Sequence, residues 1–197
     1  MILPGLRRPV GTIWCIGRNY AEHAKELGNE TPSAPVVFLK PASSLLVDGG
    51  ILRLPSDSLR VDHEVELVVA AGLNLMMAVG VDFTARDLQE EAKKKGLPWT
   101  SAKGRPGFAA VGNFAPLALP AELELSVDGQ ARQRGSTRDM IFSVEKLIEH
   151  LDRTYGLSDG DLIFTGTPKG VAPVSAGARV EAALNAGESR LRLTVAA

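Results

Sequence analysis

A single cysteine, Cys15, stands among 197 residues. That scarcity excludes an intramolecular disulfide framework and any cysteine-cluster zinc or iron–sulfur site, and it fits a reducing compartment. Charge of one sign is also lacking. Lys+Arg 22 against Asp+Glu 23 leave a net charge of -1, so no global field draws the chain to nucleic acid or anionic lipid. Apolar runs such as Leu67–Ala71 are far too short to span a bilayer. The opening residues, MILPGLRRPVGT, lack the basic-then-apolar order of a signal peptide. Repeats, low-complexity tracts and Pro/Ser-rich linkers are missing too. The expectation is a cytoplasmic protein of one domain, residues 1–197, with neither nucleic acid nor membrane as partner. What is present, 45% hydrophobic and 23% charged residues, is the ordinary composition of a globular chain able to bury a sizeable core.

Thr12–Ile16 ends at Gly17 and reads as a strand. Asn19–Leu27 reads as a helix, with Asn19 at its N-cap and Gly28 past its end. Val36–Leu39 is a strand between Pro35 and Pro41. Val61–Ala71 reads as one long strand and Met77–Val81 as its partner. Thr84–Lys95 has the strongest helix signature: a Thr84 cap, Asp87 in a capping-box-like position, late lysines, then Gly96 and Pro98. Asp128-Gly129 marks a hairpin after Leu123–Val127. Ser143–Tyr155 carries a helical apolar stripe behind a Ser143 cap. Leu162–Thr165, Arg179–Leu184 and Arg190–Val195 are late strands. Strands outnumber helices, cluster in the C-terminal half and do not alternate in a βαβ rhythm. The class expected is therefore α+β, with mostly antiparallel sheet and a few short helices.

The sharpest chemical feature is Glu64-Val65-Glu66 inside an apolar strand. Residues two apart on a strand share a face, so both carboxylates project together. Burying them unpaired is costly, and something positive is expected between them. The competing reading is a solvated strand face. If the two strands pair across their turn, Asp82 returns toward Glu64 and Glu66. Three carboxylates and no thiol make a hard-oxygen site suited to Mg²⁺, Mn²⁺ or Ca²⁺. Asp82 could otherwise cap the next helix. His23 and Glu26, three apart on one helix face, can orient an imidazole and take a proton from water, or be surface neighbours. Lys103 and Arg86, the latter a turn from Gln89, can hold an anion or be plain surface charges. The turn Thr165-Gly166-Thr167-Pro168-Lys169-Gly170 can offer hydroxyls and N–H groups to an oxyanion, or be only a corner. Gly-x-Ser-x-Gly, Gly-x-Gly-x-x-Gly, His-Glu-x-x-His and P-loop motifs are absent.

Taken in order, Gly17-Arg18-Asn19-Tyr20-Ala21-Glu22-His23, Phe38-Leu39-Lys40-Pro41, His63-Glu64-Val65-Glu66-Leu67, Asp82-Phe83-Thr84-Ala85-Arg86-Asp87, Lys94-Lys95-Gly96-Leu97-Pro98-Trp99 with Lys103, Met140-Ile141-Phe142-Ser143 with Gly160-Asp161, and Thr165–Val171 resemble the fumarylacetoacetate hydrolase family over nearly the whole chain. The Thr-Ala-Arg-Asp and Lys-Gly-Leu-Pro-Trp segments look most like its acylpyruvase and oxaloacetate-decarboxylase branch. The resemblance implies a mixed β-roll of that family's C-terminal-domain type, a homodimer and a 2-oxo acid substrate. It implies Mg²⁺ (or Mn²⁺) on Glu64, Glu66 and Asp82. His23 and Glu26 would activate water from a lid segment, and Lys103 would steady the departing enolate. Arg86, Gln89 and Thr167 would contact substrate. Two departures stand out. Only 15 residues separate Glu66 from Asp82, where relatives carry a longer segment, and Arg105-Pro106 replaces the usual Phe-Asp after Lys103.

The expected activity is metal-dependent hydrolysis of a C–C bond in acylpyruvates or related 2,4-dioxo acids, releasing pyruvate. The same site could serve a decarboxylase or isomerase of oxaloacetate or another 2-oxo acid, because both routes pass through an enolate. A catalytically silent structural homologue is the reading from another class.

Overall fold

A computed structural model describes residues 1–22, 32–185 and 187–197. Sixteen strands and three α-helices run through them in the order β1 (Ile13–Gly17), β2 (Val36–Lys40), β3 (Leu45–Val47), β4 (Ile51–Arg53), β5 (Val61–His63), β6 (Val65–Ala70), β7 (Met76–Asp82), β8 (Thr84–Ala85), α1 (Arg86–Lys95), α2 (Thr100–Lys103), β9 (Ala109–Val111), β10 (Ala115–Pro116), β11 (Glu122–Val127), β12 (Gln130–Ser136), α3 (Val144–Tyr155), β13 (Leu162–Phe164), β14 (Ala172–Pro173), β15 (Arg179–Leu184) and β16 (Ser189–Ala196). They build an eight-stranded sheet in the order β2-β1-β13-β6-β7-β9-β3, with β10 beside β7. A five-stranded sheet, β12-β11-β15-β16-β4, and a three-stranded one, β14-β5-β8, complete the fold. Among the described residues only β1–β13, β3–β9 and β4–β16 pair in parallel, so the expected mostly antiparallel α+β class holds.

The large sheet lies between two apolar clusters. Val65, Leu67 and Val69 of β6 pack with Leu123, Leu125 and Val180 of the five-stranded sheet and with Leu147 and Leu151 of α3. Val68 and Ala70 point the other way, to Ile13, Cys15, Ala78 and Phe164. Burial on both faces explains why β6 is nearly all apolar rather than alternating. Gly80 sits opposite Glu66 in the β6–β7 register. A Cβ there would come within 2.4 Å of Val68 Cγ2 and 2.9 Å of Phe164 Cε1, so only glycine lets the strands close at the site.

Four local expectations change. The single strand 61–71 is two strands in different sheets, because Gln133 Oε1 takes the Val65 N–H at 3.0 Å and the chain switches sheets at Glu64. Thr84 caps nothing: it pairs with Asp62 in β8, and its buried hydroxyl turns back to Asp82 O at 3.4 Å. Helix α1 starts at Arg86 without a side-chain cap, while Asp87 accepts bonds from Ser58 Oγ (2.6 Å) and Leu59 N (2.7 Å). Asn19 makes long-range bonds that its sequence position does not announce. Its side chain donates to Phe142 O (3.0 Å) and Thr165 O (2.8 Å) and accepts from Phe142 N (2.7 Å), strapping three segments together. Strands do not gather in the C-terminal half: β1–β8 precede residue 86 and β9–β16 follow residue 108. Ala21 and Glu22 are helical, and the expected helix beyond them lies outside the described residues.

The remaining elements follow their sequence signals. Asp128 (φ 52) and Gly129 (φ 74) make the β11–β12 turn with both central residues left-handed, as a type I′ hairpin requires. Ser143 Oγ accepts from Lys146 N at 3.4 Å at the start of α3, and Gly96 ends α1 in the left-handed region.

Candidate metal centre and pocket

The break between β5 and β6 places Glu64 at a corner of the large sheet. Glu66 follows on β6, on the same face as Val68, and Asp82 closes β7 with its N–H on Glu64 O at 2.8 Å. One oxygen from each of the three carboxylates lies within 4.8 Å of the others, and all three residues are buried. The convergence expected from the strand pairing is therefore present.

Three buried cations brace the group. Lys103 at the end of α2 reaches Glu64 Oε2 (2.8 Å) and Asp82 Oδ2 (2.6 Å). Burial alone would lower its pKa; Asp82 and Glu64 outweigh that and raise it, so the ammonium stays charged. Arg86 bonds Asp62 Oδ2 at 2.8 Å, Gln89 Oε1 at 2.7 Å and Glu64 Oε1. Lys40, at the end of β2, meets Asp82 Oδ1 at 2.7 Å and donates to Phe83 O (3.1 Å) and Lys103 O (2.5 Å). Its burial lowers its pKa, and Asp82 works against that.

Glu66 is the exception. The Gly166 N–H donates to its Oε2 at 2.7 Å, and among the described residues no cation pairs with it directly. Burial, then Asp82 and Glu64, push its pKa well above the usual carboxylate range. Buried charge of this kind is stable only when compensated. A cation placed where the three carboxylates converge would supply that compensation. Oxygen-only donors of this number suit a hard divalent cation that keeps further positions for water or substrate. The residues present thus fit Mg²⁺, Mn²⁺ or Ca²⁺.

The loop after β13 supplies the opposite wall. Gly166 has φ +98, and a Cβ there would lie 2.7 Å from Asn19 Cβ, so the turn that feeds an N–H to Glu66 needs glycine. Thr167, next along, lines the same pocket. Its hydroxyl accepts from Gln133 Nε2 at 2.9 Å, which leaves its own hydrogen for another acceptor. Gln133 is a buried hub. Its Oε1 faces His63 Nδ1 at 2.9 Å and accepts from Val65 N at 3.0 Å, and its Nε2 also donates to Pro168 O at 3.0 Å. It thereby fixes the backbone between Glu64 and Glu66 together with the Thr167 wall.

Glu64, Glu66, Asp82, Arg86, Gln89, Lys103 and Thr167 all line one pocket, with Phe38 and Trp99 among its apolar walls. His23 and Glu26 lie outside the described residues. Neither departure from the family pattern disturbs the assembly. The shortened segment is the β6–β7 turn, four residues past Glu66 along β6 and so about 13 Å away. Arg105 is engaged elsewhere, with Asp57 at 2.7 and 2.9 Å, while Lys103 N and Gly104 N keep α2 bonded to Trp99 O and Thr100 O.

Sequence reasoning did not single out Lys40, Asp62, Gln133, Arg18 or Lys93. Lys40 carried a signal, a lysine closing an apolar strand directly before proline. Gln133 carried none: β12 is QARQRGS, and its one inward position is polar.

Three buried carboxylates around a buried ammonium, on a mixed-sheet scaffold, form a cluster that could hold a metal ion. The fumarylacetoacetate (FAA) hydrolase C-terminal family model matches residues 12–196, and the chain belongs to the fumarylacetoacetate hydrolase family. It is 45% identical over 190 residues to the mitochondrial oxaloacetate tautomerase FAHD1 of Arabidopsis thaliana, covering 87% of this chain and 85% of that protein. It is also 45% identical over 184 residues to the mitochondrial oxaloacetate decarboxylase of Dictyostelium discoideum, covering 84% of each. Among solved structures, fumarylpyruvate hydrolase from Pseudomonas aeruginosa in complex with Mn²⁺ and pyruvate superposes with a TM-score of 0.90. The two are 33% identical, covering 99% of this chain and 94% of that one.

Proposed function

We propose that this family enzyme uses a divalent metal to convert a small 2-oxo acid through its enolate, with oxaloacetate tautomerisation or decarboxylation as the leading reaction. The observation that carries the reading is Glu66, a buried carboxylate without a cationic partner among the described residues, converging with Glu64 and Asp82 opposite a charged Lys103. The relatives at 45% identity are named for oxaloacetate, which favours this reaction over the acylpyruvate hydrolysis first expected from the sequence. Hydrolysis remains the second reading, supported by the likeness to fumarylpyruvate hydrolase.

Glu64, Glu66 and Asp82 would hold the cation. Bound there, Mg²⁺ or Mn²⁺, with Ca²⁺ as a substitute, supplies Lewis acidity that polarises the 2-oxo group and its carboxylate. Lys103 presents its ammonium to the oxygen on which negative charge grows. The Thr167 hydroxyl and the Arg86–Gln89 pair orient the substrate. His23 and Glu26 move the proton. In tautomerisation it leaves C3; in acylpyruvate hydrolysis it leaves the attacking water. Decarboxylation needs no water, because CO₂ departs and leaves the pyruvate enolate. The cytoplasmic location, the homodimer and the single domain stand as proposals beside this one. The two relatives carry "mitochondrial" in their names, and no helix among the described residues is long and apolar enough to cross a membrane.

The test follows the keto–enol absorbance of oxaloacetate, and pyruvate release from oxaloacetate and from acetylpyruvate, with added Mg²⁺ or Mn²⁺ and after chelation. Oxaloacetate is expected to turn over best, and only with metal. Glu66→Ala is expected to lose metal binding and turnover together, by roughly a thousand-fold or more. A fully active Glu66→Ala enzyme would sink the reading, and acetylpyruvate as the better substrate would favour the hydrolase.

A further inference from the structure

Four cationic side chains line the pocket: Arg18, Arg86, Lys93 and Lys103. Two of them are spent. Arg86 is held by Asp62, Glu64 and Gln89, and Lys103 by Glu64 and Asp82. Arg18 and Lys93 have no acidic partner among the described residues.

Both are placed by specific local structure. Arg18 follows directly on β1 and holds φ +60, a left-handed conformation that an arginine rarely adopts. The strain turns its half-buried side chain to the pocket instead of continuing the strand. Lys93 stands seven residues after Arg86 on α1, two turns along the stripe that also carries Gln89. Its ammonium lies 5.4 Å from the centre of the Trp99 ring, which fixes it at the pocket rim. Partial burial, then Arg86 and Arg18, lower its pKa, so Lys93 and Arg18 feel one another. The pocket therefore has a carboxylate cluster at its floor and, at its rim, two cations with no acidic partner among the described residues.

We propose that Arg18 and Lys93 form an anion subsite that receives the carboxylate of the substrate farthest from the Glu64–Glu66–Asp82 floor, and that this subsite selects 2-oxo dicarboxylates over 2-oxo monocarboxylates. The inference rests on the 2-oxo acid reading and deepens it. An acylpyruvate with an apolar acyl end offers these two cations no carboxylate. A dicarboxylate satisfies them, and charge-assisted bonds of this kind discriminate strongly.

The experiment compares the wild-type enzyme with Arg18→Gln, Lys93→Gln and the double variant, using oxaloacetate and acetylpyruvate. The ratio of kcat/KM for oxaloacetate to that for acetylpyruvate is expected to fall roughly ten-fold for each single variant, mainly through KM. The charge-keeping Arg18→Lys and Lys93→Arg are expected to retain most of the ratio. A parallel titration of the Mg²⁺-loaded protein with difluoro-oxaloacetate, which cannot enolise, and with pyruvate reads the subsite without turnover. Weaker binding of the dicarboxylate alone in the double variant supports the subsite even if no 2-oxo acid is turned over, in which case the reaction assigned above fails and the subsite stands. An unchanged ratio and unchanged difluoro-oxaloacetate binding in the double variant overturn it.

Discussion

Along β15, Arg179 and Glu181 are exposed while Val180, Ala182 and Leu184 are buried, so every charge keeps its water. Along β6, Glu66 lies as deep as the valines around it, and Glu64 sits at the corner where that strand begins. The five-stranded sheet obeys the alternation that makes a half-buried sheet cheap to form. The pocket floor breaks it and gathers four buried carboxylates, Asp62, Glu64, Glu66 and Asp82, with Lys40, Arg86 and Lys103. In the first region charge keeps the outer face solvated. In the second it is confined, and each member depends on the others. Removing one charge should therefore cost much at the floor and little on the sheet.

The largest effect is expected at Lys40. Its side chain is fully enclosed and serves Asp82, Phe83 O and Lys103 O at once. Lys40→Met keeps the apolar stem but leaves those acceptors without their donor. A loss of about 3–5 kcal/mol is expected, or a fall in Tm of roughly 6–20 °C for a chain of this size. Thermal unfolding of the metal-free protein measures it. A Tm within a degree or two of wild type would mean that the floor is no more interdependent than the sheet surface.

Gln133 comes next, since it ties the two regions together from β12 of the five-stranded sheet. Gln133→Leu preserves volume while depriving Val65 N, Thr167 Oγ1, Pro168 O and His63 Nδ1 of their partner. The expected cost is about 1–3 kcal/mol. Because Thr167 and the Glu64–Glu66 backbone lose their common support, kcat/KM should fall by roughly ten-fold or more. Steady-state kinetics beside urea unfolding separates the two effects. Lost stability with unchanged kcat/KM would leave Gln133 a purely structural residue.

The same contrast sets what could be read from sequence. Regular regions announce themselves: Asp128-Gly129, Ser143 ahead of its apolar stripe, and the alternation of Arg179–Leu184 each encode one local structure. The acidic trio was legible for the opposite reason, as two glutamates violating an apolar strand, with Asp82 brought back by strand pairing. Legibility fails where a residue's job is set by distant neighbours. Thr84 has the chemistry of a cap, but β5 claims it as a strand residue. Asn19 likewise has cap chemistry, but its amide bonds lie 123 and 146 residues away. Gln133 differs from an exposed strand glutamine only through contacts 34 to 70 residues off. The break at Glu64 is invisible for the same reason, because Gln133 takes the Val65 N–H.

The smallest effect is expected where charge meets charge on the sheet. Glu124 and Arg134 face one another across β11 and β12, and their side chains come within 3.5 Å while both stay largely exposed. Water already solvates each partner, so their attraction replaces hydration of nearly equal worth, and salt screens what remains. Arg134→Ala is expected to change stability by no more than about 0.5 kcal/mol, with the double variant Glu124→Ala/Arg134→Ala additive within the same margin. Arg134 does not line the pocket, so kcat/KM should match wild type. Urea unfolding at low and at high salt measures the pair. A coupling as large as the loss at Lys40 would mean that desolvation is not what separates the floor from the sheet. A negligible one leaves burial as the variable that turns the same kind of ion pair from a surface feature into the frame of a site.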